Sequence, residues 1–261
     1  MHDGENKAQT AEAGQPRVRR SVKSAEIVAL EIVRDIVSRQ LRAGDRLPPE
    51  SEMVSQYGFS RPIIREALRL LEFQGLITIR PGPGTGVVVG KVQSDKLAQT
   101  LTLYLHLAET TYQELLQAWA DAEGVMAWRA TRNPDRELVR KLMQPYVAGS
   151  DCCTEDLRSR QVGRRFHADV EQLAANRVES LAFRSIAAIS AQHVMNNIPG
   201  EMLEDWVHDH TTIAQAIIEG DADLARKLMH EHIEDIDRHF HRLWPEKVGE
   251  RLKWGVTRNP F

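Results

Sequence analysis

A mainly α-helical chain is predicted: a three-helix unit with a small β-hairpin, joined to an all-α antiparallel helical bundle. Three observations predict it. Apolar residues recur at helical spacing over most of the 261 residues. Only two short runs of β type stand out, Leu76–Arg80 and Gly86–Val89, and they flank a Gly/Pro-rich turn. Charge also changes sign along the chain. From Arg17 to Lys91 there are 13 Lys/Arg against 8 Asp/Glu, a net +5, whereas from Val92 onward there are 20 against 26, a net −6. A basic first third on an acidic remainder points to a polyanionic partner for the first third alone.

With 42% hydrophobic and 27% charged residues, the composition is that of a soluble globular chain, and its length suits two ordinary domains. The opening stretch has no apolar segment of signal-peptide type, and no later run approaches the ~18 apolar residues of a membrane helix. A cytoplasmic protein without a membrane partner is expected. The only cysteines, Cys152 and Cys153, are neighbours in a loop-like segment. In a reducing compartment they read as incidental thiols.

Residues 1–22 are polar with a basic cluster at Arg17, Arg19 and Arg20, and are expected to form a flexible arm. A first unit is expected over residues 23–90. Ile27, Val28, Leu30, Ile32, Val33, Ile36, Val37 and Leu41 fall at helical spacing, and "RAGDRLPPE" then breaks the pattern. A short helix from Glu50 to Gln56 ends near Gly58. Ser60 suits the N-cap of the next helix, with Pro62 tolerated in its first turn. That helix turns Ile63, Ile64, Ala67, Leu68, Leu70 and Leu71 inward, and stacks Arg61, Arg65 and Arg69 outward at i, i+4 and i+8. Three arginines on one exposed face suit an anionic groove, although Glu66 and Glu72 could pair with individual ones. The hairpin completes a winged helix-turn-helix, whose third helix enters the major groove of double-stranded DNA with the wing alongside.

The stretch "LRAGDRLPPESEMVSQYGFSRPIIREALRLLEFQGLITIRPGPGTGVVV" resembles the DNA-binding domain of the GntR family of bacterial transcription regulators. The resemblance implies DNA contacts from Ser60, Arg61, Pro62 and Arg65 on the recognition helix and from Gly82 in the wing, with Arg69 further along the ridge. After "LPPE" the family commonly has a DNA-contacting arginine; here the residue is Ser51, so one contact is missing or replaced. Arg61 and Arg65 are the natural bidentate guanine readers.

After a linker over residues 91–96, residues 97–245 carry only helical stripes separated by short breaks, and residues 246–261 form a C-terminal tail. Six or seven helices are expected, including one near Ser94 to Ala108. "TYQELLQAWADAEGVMAWRATRNPDRELVRKL", "RRFHADV" and "HTTIAQAIIEGDADLARKLMHEHI" resemble the ligand-sensing domain of the FadR branch of that family. This implies a homodimer with a small-molecule effector in the helical domain.

Four of the ten histidines crowd into "HEHIEDIDRHFH", residues 230–241. At 100° per residue His232 and His239 share the apolar stripe, while His230 and His241 point the opposite way and are expected to face solvent. His167, His193 and His210 also fall on inward faces of separate helices, and imidazole is the commonest side-chain ligand for divalent transition metals. In many relatives the metal site has an aspartate four residues before the first histidine and two further histidines 22 residues apart. His167, His210 and His232 match those histidines, and Gly163 stands at the aspartate position. With water, or with His193 as substitute, the trio could hold one divalent metal, Zn²⁺ or Ni²⁺; the alternative is a polar floor for an organic ligand. Trp119, Glu123, His193 and His239 are expected in the effector pocket. Trp119 stands where related sensors often have a carboxylate-holding arginine, which favours a flatter or more apolar ligand, unless Arg129 or Arg184 supplies charge.

A ligand-responsive repressor bound as a dimer to a palindromic operator is therefore expected. Its effector would be a small organic acid, a CoA thioester or a more apolar metabolite. A metal-dependent hydrolase with an appended DNA-binding domain, and an effector-independent DNA-binding protein, are the other readings. No HExxH, nucleophile elbow or P-loop supports an enzyme.

Overall fold

Two units divide the chain, Met1–Val92 and Gln93–Phe261. The structure is a computed structural model that describes residues 17–80, 86–148, 156–197 and 203–253. The first helix, α1 (Arg17–Ser38), begins inside the segment expected to be an arm. Nothing from Arg17 to Val22 breaks a helix, so these residues are removed from the expected arm; residues 1–16 lie outside the described part. Ala25, Val28, Ala29 and Ile32 are the buried stripe of α1, at the i, i+3, i+4, i+7 spacing of one face.

α2 (Glu50–Tyr57) ends at Gly58, whose φ of 72° costs glycine little and lets its N–H cap the Val54 carbonyl. Asp35 on α1 accepts hydrogen bonds from the Tyr57 hydroxyl at 2.7 Å and from Gln56, clamping α2 to α1. α3 (Arg61–Phe73) has Pro62 in its first turn and buries Ile64, Ala67, Leu68 and Leu71 against α1. β1 (Ile77–Arg80) pairs antiparallel with β2 (Gly86–Val89), Ile77 opposite Val89 and Arg80 opposite Gly86.

A backbone segment that no periodicity announced also joins the hairpin. The N–H groups of Gly44 and Leu47 donate to the carbonyls of Val89 and Val87 at 2.9 Å. At the end of the hairpin, Gly90 donates to Leu76 O at 2.8 Å. A Cβ on Gly90 would lie 2.4 Å from the Gly75 carbonyl oxygen, so the close approach admits glycine only.

The second unit comprises α4 (Ser94–Leu107), α5 (Tyr112–Thr131), α6 (Arg136–Val147), α7 (Asp156–Ala174), α8 (Arg177–His193), α9 (Leu203–Glu219) and α10 (Ala222–Leu243). Helix α4 takes in Ser94–Lys96 of the expected linker. Capping chemistry sets several starts. Thr111 and Glu114 form a reciprocal capping box on α5, and Asp135, Asn176 and Asp221 accept N–H bonds at α6, α8 and α10. Helix α5 is the central post, packing against α7, α8, α9 and α10. Gly124 permits this: a Cβ there would lie 3.3 Å from the Arg226 carbonyl of α10.

Part of the expected tail is built into the fold. Leu252 is fully buried beside Leu115 and Phe240. Its N–H donates to Thr110 O at 2.7 Å, and its carbonyl meets His106 Nδ1 at 2.7 Å.

Candidate functional site

In the first unit, the positions singled out for DNA lie on one stretch of α2 and α3. Ser51, Ser60, Arg61, Pro62, Arg65 and Arg69 are all exposed. Ser60 takes the N-cap backbone conformation, yet its hydroxyl makes no capping bond. The first turn of α3 contains no acidic residue, so the positive end of its dipole is not offset there by a carboxylate. Arg65 Nε donates to Glu50 at 2.9 Å, which leans it toward the start of α2 and Ser51. Of the acidic residues that could neutralise the ridge, Glu66 reaches Arg69 only at 3.7 Å. Glu72 instead accepts from the Ile79 N–H at 2.8 Å, fastening α3 to the hairpin. Gly82 lies outside the described residues.

In the second unit, three helices bring His167 (α7), His210 (α9) and His232 (α10) together. One ligand atom from each lies within 4.8 Å of the others. The Nε2 atoms of His210 and His232 are 3.2 Å apart. Two imidazoles bound tetrahedrally to Zn²⁺ at ~2.0–2.1 Å would place their nitrogens about 3.3 Å apart, so this pair fits a shared ion.

The surroundings fix two of these rings. His232 Nδ1 faces Asp209 at 3.2 Å, and His167 Nδ1 faces Glu123 at 3.0 Å, which leaves each Nε2 as the ligand lone pair. His210 stacks on Phe166 with ring centroids 4.1 Å apart, and its buried Nδ1 has no partner among the described residues. Burial pushes the His210 imidazolium well below the ordinary histidine range, helped by repulsion from His232 and His167. Burial also lowers His232, against a partial pull upward from Asp209. Both therefore stand neutral at pH 7, the form that binds metal. Burial pushes the Glu123 carboxyl up, but His167 and the hydrogen bonds from His167 and Trp119 outweigh it and leave it below the usual range.

Known proteins with these features converge. Residues 24–87 match the model of bacterial regulatory proteins of the gntR family, and residues 114–235 match the FCD domain. The chain belongs to the GntR family. It is 28% identical over 200 residues to the Uxu operon regulator of Haemophilus influenzae, covering 74% of this chain and 73% of that one. It is 27% identical over 199 residues to the Exu regulon transcriptional regulator of Escherichia coli K12, covering 74% of each. The GntR structure from Streptococcus agalactiae shares the fold, with a TM-score of 0.57 at 20% identity over 82% of this chain and 99% of that one. As a GntR regulator with an FCD domain, the chain is a DNA-binding transcription regulator with an effector-binding domain. No described helix is long and apolar enough to cross a membrane.

The remaining positions are distributed as follows in this GntR regulator. Trp119 is buried, and its Nε1–H donates to Glu123 at 3.1 Å. Gly163 faces the trio, since a Cβ there would lie 3.7 Å from His210 Cε1. His193 stands at the end of α8, edge-on to Tyr112 with centroids 6.1 Å apart, and is not part of the three-histidine group. His239 is half-buried, its Nδ1–H donating to Asp235 O at 2.8 Å. His230 and His241 have side chains 36% and 39% exposed and face the carboxylates of Asp121 at 3.4 Å and Asp237 at 2.9 Å. Arg129 pairs with Glu179 and Arg184 with Glu171, so neither points a free charge at the trio. Sequence reasoning missed Asp209 altogether. Its only signal is that it precedes His210, and no spacing rule links it to His232 across 23 residues.

Proposed function

We propose that this GntR regulator is a homodimeric, ligand-responsive repressor whose two recognition helices bind a palindromic operator, with Ser60, Arg61, Pro62, Arg65, Arg69 and Ser51 at the DNA surface and Gly82 in the wing. The observation that carries the effector half is the three-histidine group of the FCD domain, with His210 and His232 buried and His167 partly so. His167, His210 and His232 would hold one divalent metal, Zn²⁺ or Ni²⁺. With Arg129 and Arg184 engaged elsewhere, the metal would supply the positive charge that a polar effector group meets. Trp119, an indole bonded to Glu123, adds an apolar wall, which favours a flatter ligand over a small dicarboxylic acid. Response then requires the ligand to bind the operator-competent and incompetent arrangements with different affinity. A location in the cytoplasm, where the DNA is, goes with this reading.

Metal analysis of protein purified without a His-tag tests the site. Stoichiometric metal in the wild type, lost in His210→Ala, is the expected result; no metal in the wild type overturns it. We propose no catalytic role: the relatives are named as regulators, and both carboxylate oxygens of Glu123 already accept hydrogen bonds. Screening metal-loaded protein against esters and phosphoesters checks this, with turnover above background as the contrary outcome.

A further inference from the structure

Gly163 deprives the trio of the carboxylate that the resembling sites place four residues before the first histidine. We infer that Glu123, on a different helix, is the replacement carboxylate, acting as a positioning residue through His167; this rests on the metal reading above. Glu123 is only 8% exposed. Its Oε2 faces His167 Nδ1 at 3.0 Å, and its Oε1 accepts the Trp119 Nε1–H at 3.1 Å. The indole thus sets the carboxylate and the carboxylate sets the imidazole. An ionised carboxylate accepting the Nδ1–H leaves the His167 Nε2 lone pair for a metal and makes it more basic.

Charge balance points the same way. Among the described residues no lysine or arginine forms an ion pair with Glu123, so His167 is the group that faces its Oε2. A dication on His167 would add positive charge beside this buried carboxylate. Asp209 makes the analogous contact to His232, but its side chain is 43% exposed, so water weakens its hold. Gly124 makes the arrangement reachable: without a side chain it lets α5 approach α10, and Glu123 stands beside it on α5.

The test is a titration of Co²⁺ into metal-free full-length protein, followed by calorimetry and by the visible absorption of the ion. Glu123→Gln keeps the shape and an acceptor but removes the charge; it is expected to weaken Co²⁺ binding about 10- to 100-fold without moving the absorption band, since the ligand set is unchanged. Trp119→Phe, which removes the donor to Glu123, should weaken it in the same direction by less. In a His167→Ala background, Glu123→Gln should have no further effect. Unchanged affinity in Glu123→Gln, or equal weakening with and without His167, overturns the inference. A shifted band overturns it by making Glu123 a direct ligand. Failure of Co²⁺ to bind the wild type overturns the metal reading itself, a separate result.

Discussion

At the scale of single residues, Arg65 and Gly163 make the sharpest predictions. The Arg65–Glu50 pair is solvent-exposed and contributes little to folding. Arg65→Ala is therefore expected to keep the wild-type unfolding temperature while abolishing operator binding in a gel-shift assay. Loss of one guanine contact alone is worth ~1–3 kcal/mol, and unchanged affinity would remove Arg65 from the contact set. Gly163→Asp should tighten Zn²⁺ or Ni²⁺ binding, because a Cβ there would make only an ordinary van der Waals contact with His210, 3.7 Å away. Calorimetry reading no gain would place that position outside the site. Helical spacing and resemblance made the three histidines legible in advance. Spacing alone did not separate them from His193 and His239, because a helical wheel gives the direction of a side chain and says nothing of its depth or neighbours; the resemblance singled them out.

At the scale of elements, close backbone approaches and caps carry the predictions. Gly90→Ala must displace the Gly75 carbonyl and is expected to destabilise the first unit by roughly 1–3 kcal/mol, the usual cost of overpacking. Urea unfolding followed by far-UV circular dichroism measures it, and an unchanged midpoint would mean that the hairpin end yields freely. Thr111→Ala removes one half of the α5 capping box and should cost about 1 kcal/mol in the same assay. The helices were legible because apolar stripes and caps are local signals. The pairing of Gly44 and Leu47 with β2, and the burial of Leu252 beside α5, were not. Their partners lie about 40 and 140 residues away, and the segments themselves carry no periodicity.

For the whole molecule, the proposals concern stoichiometry and coupling. Sedimentation of the protein with one operator duplex should give two chains per duplex; one chain per duplex would contradict the palindromic reading. An effector that weakens operator binding by a given factor must itself be weakened by operator DNA by that same factor. Titrating effector with and without operator measures the two factors, and unequal values would mean that a further state participates.

Local rules were enough to establish the order of helices and strands, the change of charge between the two units, the arginine ridge on α3 and the inward faces of the histidines. Each depends on neighbours within a few turns of chain. Which inward residues touch one another was decided only in three dimensions. Glu123 and Trp119 read as pocket lining, Asp209 had no reading at all, and Gly163 was a gap. Packing of α5 against α7 and α10, the latter made close by Gly124, lets Trp119 and Glu123 support His167, while Asp209 faces His232 and Gly163 faces His210. Such contacts depend on the depth at which helices pack, a distance that no spacing along a single helix encodes.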